Sequence, residues 1–328
     1  MRVVVTGGAG FIGRAIVGKL AERGDDVVAL VRDPARAQFL AAKNVQLVAS
    51  DLRSVPAMTA QMKGADGVIH AAGSYRIGIK KSEQAQMRDA NVGTTERVLD
   101  AAVAAGVPKI VYVSTVNVFG NTKGKKPDET YRRDLDEGFL SYYDEAKYGA
   151  HEAAEKRLAS GAPLVIVMPS QVFGPNDHTI LSLQLEHAHA GKLRYLVLGN
   201  AGNAWVHVDD LAVGIVAALD RGRIGQAYIL AGDCYRLGAA IAMAAKVGGR
   251  RPPRISLPTA LLRLVAPIND RVGGLPGFPA NLGETIRAGD GVTYWASHEK
   301  ATSELGFNPR SLEQGIADTW GQAKQEAA

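Results

Sequence analysis

The chain carries a single cysteine, Cys234, among 328 residues. No internal disulfide can form, which points to a reducing, cytoplasmic setting. Nothing around Cys234 offers the acid–base company of a nucleophile. A run of about 20 predominantly apolar residues, the length that spans a bilayer, is also missing. The longest candidate, Ile255 to Ile268, is interrupted by Pro258, Arg263 and Pro267 and reads as an amphipathic helix with its flank. The early Val3-Val4-Val5 run is too short for a secretory core and passes straight into glycines. Metal-ligand spacing is absent: His187 and His189 lack cysteine or carboxylate company, so no metal is expected. Charge is nearly balanced at +5. The densest basic run, Lys123-Gly124-Lys125-Lys126, reads as a solvated loop, and no nucleic-acid partner is expected. Repeats and low-complexity tails are lacking too.

What is present suits a globular protein with a sizeable core: 46% hydrophobic and 22% charged residues. Short β-branched runs at Val3–Thr6, Asp26–Val31, Gln46–Ala49, Gly67–His70, Ile110–Ser114 and Leu164–Met168 predict strands. Several lack alternation, as strands covered on both faces do. Between them, Ile12–Arg23, Val55–Met62, Thr94–Ala105 and Tyr142–Ala159 predict crossover helices. The repetition predicts an α/β fold with a doubly wound, Rossmann-type parallel sheet. After Pro169 the pattern loosens. Loops are expected at Asn176–Asp177 and Gly199–Gly202, a helix at Asp209–Leu219 and a strand at Ala227–Ala231. Residues 1–169 are read as the cofactor domain, with 203–232 returning to it. Residues 170–202 and 233–328 are read as a smaller substrate-binding region.

The first strand runs into Gly7-Gly8-Ala9-Gly10-Phe11-Ile12-Gly13 and then a helix. Glycines at 7, 10 and 13 permit a tight turn, close approach of a pyrophosphate and close helix–strand packing. Amides at the helix start, through Phe11 and Ile12, then face the phosphates. At the end of the second strand, Arg32 precedes Asp33. A guanidinium can pair with a ribose 2′-phosphate, and Arg14 and Arg36 stand ready to assist. NADP(H) is therefore preferred, with NAD(H) held by Asp33 as the alternative.

Tyr143 and Lys147, four apart on a predicted helix, share one face. A free tyrosine titrates near 10, too high for efficient proton transfer at neutrality. A neighbouring ammonium is expected to lower it. Tyr142 is five residues from Lys147 and worse placed. The pair follows a strand that ends in Ser114-Thr115.

With these motifs the chain resembles the extended short-chain dehydrogenase/reductases over essentially its full length, nearest in character to the dihydroflavonol-reductase and hydroxysteroid-dehydrogenase branch. Asp51-Leu52 is similar to the family's adenine-contacting pair, and His70-Ala71-Ala72-Gly73 to its strand end beside the cofactor. Asn91-Val92-Gly93-Thr94-Thr95 resembles its Asn-x-x-Gly-Thr helix start, and Pro169-Ser170 opens a segment like the one near the nicotinamide. Thr115 falls at the family's catalytic Ser/Thr position, with Ser114 beside it. Asn91, Asp209 and Asp210 also read as helix caps, and His207 as a structural histidine. The resemblance implies hydride transfer between a nicotinamide and a small-molecule ketone, aldehyde or secondary alcohol. It implies Tyr143, Lys147 and Thr115 or Ser114 as catalytic groups. Lys147 also holds the nicotinamide ribose. A nucleotide-sugar epimerase with retained NAD and a non-catalytic cofactor-binding regulator remain alternatives. Val116-Asn117 replaces the acid pair of nucleotide-sugar 4,6-dehydratases, so that activity is not expected. By analogy, Thr94–Ala105 and Tyr142–Ala159 would pair in a homodimer. Arg254–Ala266, rich in leucine, reads as core or as the wall of an apolar substrate pocket.

Overall fold

The computed structural model describes residues 1–275 and 278–321. The end of the predicted substrate-binding region, 322–328, lies outside the described residues. The strands are β1 (Arg2–Thr6), β2 (Asp26–Val31), β3 (Val45–Ala49), β4 (Gly67–His70), β5 (Ile110–Val113), β6 (Leu164–Pro169), β7 (Gln171–Phe173), β8 (Tyr195–Leu196), β9 (Gly202–His207), β10 (Ala227–Leu230), β11 (Asp233–Arg236), β12 (Ile255–Ser256) and β13 (Thr293–Tyr294). The helices are α1 (Phe11–Glu22), α2 (Val55–Met62), α3 (Gln84–Arg88), α4 (Thr94–Ala104), α5 (Tyr142–Ala159), α6 (Ile180–His189), α7 (Val208–Arg221), α8 (Leu237–Val247), α9 (Thr259–Val272), α10 (Leu282–Gly289), α11 (Glu299–Leu305) and α12 (Leu312–Trp320).

Seven strands form one sheet in the order β10-β6-β5-β4-β1-β2-β3. Every pairing in it is parallel. Side chains alternate between its faces, and both faces are covered, which is why these strands are apolar without a break. Val4, Val28, Tyr112 and Ile166 pack on one side with residues of α2, α4 and α5. Val3, Val5, Val27 and Ala29 pack on the other with residues of α1 and α7. The predicted doubly wound sheet is thus the observed one.

Beyond Pro169 the chain is more regular than its sequence pattern suggests. Gly202–His207 forms β9, buried along its whole length. It pairs antiparallel with β11 and parallel with β7 and β13, so three distant segments supply the ladder that local propensity does not. Helices α6 and α8 also lie outside the predicted set, packing together around Leu185, Ala188, Ala240 and Ala244. The leucine-rich stretch Arg254–Ala266 is neither core nor enclosed wall along most of its length. Leu262 is buried, whereas Leu261 and Leu264 are exposed. Among the described residues no helix is long and apolar enough to cross a membrane.

Parallel strands deliver their C-terminal ends to one edge. Gly7, Ala71, Ser114 and Ser170 follow β1, β4, β5 and β6, which are neighbours in the sheet. The chain reverses direction across the sheet between β1 and β4. At that seam Gly7 adopts φ of +72°, and a Cβ on it would stand 2.8 Å from the backbone of Ala72. A Cβ on Gly13 would stand 2.0 Å from the Gly7 carbonyl oxygen. We expect Gly13→Ala to destabilise the fold by at least about 1–3 kcal/mol, the usual cost of overpacking, because the obstacle is backbone. Urea unfolding measures this, and an unchanged midpoint would contradict the packing described.

Candidate active site

The turn after β1 is closed by Gly10 N–H donating to the Gly7 carbonyl at 2.9 Å. Gly10 also caps α1 without a side-chain bond, leaving the amides of Phe11 and Ile12 pointing out of the helix start. Arg14, one turn in, lies with its guanidinium 4.4 Å from the centre of the Phe39 ring. Its Nε is buried without a partner. At the end of β2, Arg32 is exposed, and its side chain has no hydrogen bond or ion pair among the described residues. Asp33 Oδ1 accepts from the amides of Ala35 at 3.0 Å and Arg36 at 3.3 Å. After β3, Asp51 is exposed, and Leu52 holds a left-handed φ of +58°, unusual for a branched residue. Its carbonyl accepts from Arg97 Nε at 3.0 Å.

After β4, Ala71, Ala72 and Gly73 follow the buried His70. Thr6 Oγ1 lies 2.7 Å from His70 Nδ1, and Thr95 Oγ1 lies 3.1 Å from Nε2. Burial, together with the charge of Lys147, pushes His70 down to about 3, so it stays neutral. Asn91 does not cap a helix, the alternative its sequence left open. It lies in a π-turn, Asp89–Gly93, inserted between α3 and α4, the kind of insertion that gathers at functional sites. Its amide donates to the carbonyls of Ser74 and Met87 and accepts from Ser74 N–H at 3.0 Å, tying down the 71–74 segment.

Helix α5 starts at Ser141, whose Oγ accepts from Asp144 N–H. One face then presents Tyr143 and Lys147, both buried. Lys147 Nζ donates to the Val113 carbonyl at 3.3 Å and lies 5.5 Å from the centre of the Tyr112 ring. Burial pushes it down to about 8. Tyr143 meets Tyr75 edge-on, with ring centres 4.8 Å apart. The expected lowering of the Tyr143 pKa is not found. Burial, then Tyr75 and Asp144, hold the phenol well above its ordinary value, against a contact with Thr115. Desolvation of the phenolate is the largest cause.

The structure also separates the two hydroxyls that end β5. Ser114 Oγ pairs with His151 Nδ1 at 2.9 Å. Thr115 remains on the Tyr143 side, donating to Asn117 Oδ1 at 3.0 Å and accepting from Asn117 N–H. Asn117 Nδ2 donates to Asp144 Oδ1, and Tyr294 Oη donates to Asp144 Oδ2, both at 3.2 Å. Neither Asp144 nor Tyr294 was anticipated. An acid in the first turn of a helix ordinarily complements the dipole in water. Here β13 covers it, and burial pushes Asp144 up to about 6. Pro169 ends β6, and the Oγ of Ser170 beyond it is buried without a partner. A hollow of about 380 Å³ beside Arg14 and Phe39 includes neither Tyr143 nor Lys147. The strand ends, not this hollow, gather the titratable groups. His207 donates no catalytic geometry: it caps α7 and lies 3.2 Å from Thr319 Oγ1. Asp210 is paired with Arg310.

The model of the NAD dependent epimerase/dehydratase family matches residues 3–231. The chain is 32% identical over 330 residues to a putative dihydroflavonol 4-reductase of Synechocystis, covering 96% of this chain and 92% of that protein. It is 29% identical to the 2-alkyl-3-oxoalkanoate reductase of Stenotrophomonas maltophilia, covering 96% and 97%. The crystal structure of gox2253 superposes with a TM-score of 0.82 at 31% identity, covering 99% of this chain and 98% of that one.

Asp144 and His70 give opposite pH dependence to stability. Asp144 gains its proton more readily in the fold, so its ionisation as pH rises through about 6 costs on the order of 3 kcal/mol relative to the unfolded chain. His70 stays neutral in the fold, so stability is lost as pH falls below its ordinary value of 6.5. We expect Asp144→Asn to leave the histidine unopposed. Between pH 6.5 and 4 the variant should lose up to about 3 kcal/mol more than the parent. Urea unfolding across that window decides, and parallel curves would refute the opposition.

Proposed function

The chain belongs to the NAD dependent epimerase/dehydratase family and is an enzyme of the extended short-chain dehydrogenase/reductase type, and from that premise we propose that it reduces a ketone or aldehyde with NADPH. The observation that carries this reading is the gathering of a protonated phenol, a buried ammonium and a threonine hydroxyl at the ends of adjacent strands. When bound, the nicotinamide cofactor supplies the hydride. Tyr143 gives its proton to the carbonyl oxygen as charge develops there. That task needs a phenol still protonated at neutral pH, and burial keeps it so. Lys147, pushed down to about 8, remains largely charged at pH 7 and favours the phenolate once the proton has left. The Thr115 proton is spent on Asn117. Thr115, held by Asn117, stands against the Tyr143 phenol and favours its deprotonated form, while Ser114, tied to His151, supports the strand end.

The residues fit the cofactor. Backbone crowding at Gly7 and Gly13 leaves a cradle that a Cβ would fill, and Ser170 Oγ is a buried group lacking a partner. Gly7, Gly10, Phe11, Ile12 and Gly13 would hold the pyrophosphate, and Asp51 and Leu52 the adenine. Ala71, Ala72 and Gly73, braced by Asn91, would line the ribose side, with Tyr143, Lys147, Pro169 and Ser170 around the nicotinamide. The preference for NADPH rests on Arg32, whose side chain has no partner among the described residues, while one oxygen of Asp33, Oδ1, is taken by the amides of Ala35 and Arg36. Arg14 stands by with an unpartnered Nε.

In this reading residues 1–169, with 203–232 returning to them, carry the cofactor, and the described parts of 170–202 and 233–328 form the substrate-binding region. The 2-alkyl-3-oxoalkanoate reductase relative favours an apolar carbonyl compound. Cys234 alone, with no disulfide partner, agrees with a cytoplasmic protein. Helices α4 and α5, joined by Arg157 to Asp100 at 2.7 Å, offer a face for a homodimer. An epimerase would use the same catalytic groups but retain its cofactor through each cycle.

Native mass spectrometry separates the two reactions: cofactor retained through purification, with sugar epimerised and no ketone reduced, would reverse the proposal. We expect Tyr143→Phe to lower kcat for a reduced ketone by about 10²–10⁴-fold while NADPH affinity changes little. Full activity in that variant would remove Tyr143 from the chemistry. Arg32→Ala should weaken NADPH far more than NADH in calorimetric titration. Equal affinity of the parent for both cofactors would assign the ribose to another group.

A further inference from the structure

Helix α9 is the place where the fold leaves an apolar face uncovered. Its buried side is narrow: Leu262, Ala266 and Asn269, spaced by four and three. The first two join Leu282 and Ile286 of α10 in a small cluster. Leu261, Leu264, Ile268 and Val272 are spaced by three, four and four, which sets them in one stripe along the helix. They are 51%, 75%, 64% and 61% exposed. Among the described residues no other helix exposes more than one large apolar side chain. The strand leading into α9 continues the pattern, with Ile255 paired to Tyr195 and both exposed.

The charge around this stripe has one sign. Arg250, Arg251, Arg254, Arg263 and Arg271 fall within 23 residues, against the single acid Asp270. Asp270 is taken up by the amides of Leu282 and Gly283. Among the described residues only Arg263 of the five arginines has a carboxylate partner, Asp290. Arg271 follows Leu264 by seven residues and Ile268 by three, so it borders the stripe.

We propose that α9 docks the protein on an anionic membrane surface. The helix lies flat in the headgroup layer, with Leu261, Leu264, Ile268 and Val272 in the acyl boundary and Arg254 and Arg271 on lipid phosphates. With 14 residues it is too short to span and of the right character to lie in the interface. Unneutralised arginines beside the stripe are what separates this occupant from a second copy of the chain, whose own arginines would meet them across a two-fold contact. The inference stands on this surface alone and does not depend on the reaction proposed above.

The test is co-sedimentation of the full chain with vesicles of phosphatidylcholine, alone or mixed with phosphatidylserine. We expect binding to the mixed vesicles, about tenfold or more weaker binding to the neutral ones, and loss at high salt. Leu264→Glu with Ile268→Glu should lower binding to the mixed vesicles by about tenfold or more. The melting temperature and NADPH affinity should not move, because both side chains face solvent. Arg254→Glu with Arg271→Glu should abolish the preference for phosphatidylserine. Failure to bind either vesicle overturns the proposal, and so does binding that the Leu264/Ile268 variant retains. An oligomer in ultracentrifugation that this variant splits, without vesicle binding, would assign the stripe to a second copy instead.

Discussion

The contact between the turn after β1 and the backbone after β4 sets the terms for the rest of the structure. Gly7 can touch Ala72 and Gly13 can sit on the Gly7 carbonyl only because both lack Cβ. That closeness starts α1 directly at the sheet edge, so its first amides face the seam where strand order reverses. It also places the 71–74 segment, held from the other side by Asn91, beside the strand end that carries Thr115. A single methyl group at Gly13 would push against backbone, which cannot move aside as a side chain can.

Around this seam the protein buries several ionisable groups, and low dielectric decides their states. Tyr143 is kept protonated, His70 neutral and Lys147 only moderately basic. In each case burial disfavours the charged form. Asp144 obeys the same rule, and the donors Asn117 and Tyr294 keep its carboxylate from being stranded. The bond from Asn117 to Asp144 fixes the amide so that its oxygen faces Thr115. The charge state of Asp144 thus reaches Thr115, beside the Tyr143 phenol, through one side chain.

Some of this was readable residue by residue. The strands of the main sheet announced themselves because burial on both faces demands unbroken β-branched runs. The glycine spacing was legible because its steric reason is local, and Tyr143 with Lys147 because helical geometry fixes their common face. The cap reading held open for Asn91 does not hold: the π-turn that moves it into the helix has no local signature. The resemblance put Thr115 at the catalytic position with Ser114 as the alternative, and His151, on the next turn of α5 after Lys147, claims Ser114. The lowered phenol pKa was expected from the pair alone, which omits the desolvation that Tyr75 and the surrounding apolar residues impose.

Helix α9 marks the same boundary from the surface. Its leucines promised burial by composition, yet only Leu262 finds a core, since α10 offers a single narrow face. The sequence by itself determined the parallel sheet, the glycine turn, the common face of Tyr143 and Lys147 and the lack of an internal disulfide, because those follow from periodicity, local sterics and composition. Tertiary structure alone decided which hydroxyl faces Tyr143, that Asp144 is buried beneath Tyr294, that Asp33 is engaged by its own turn, and which leucines of α9 stay outside. Each of those outcomes depends on a segment distant in the chain or on a backbone turn that residue types do not specify. Burial and hydrogen-bond partners come into being only when such segments pack.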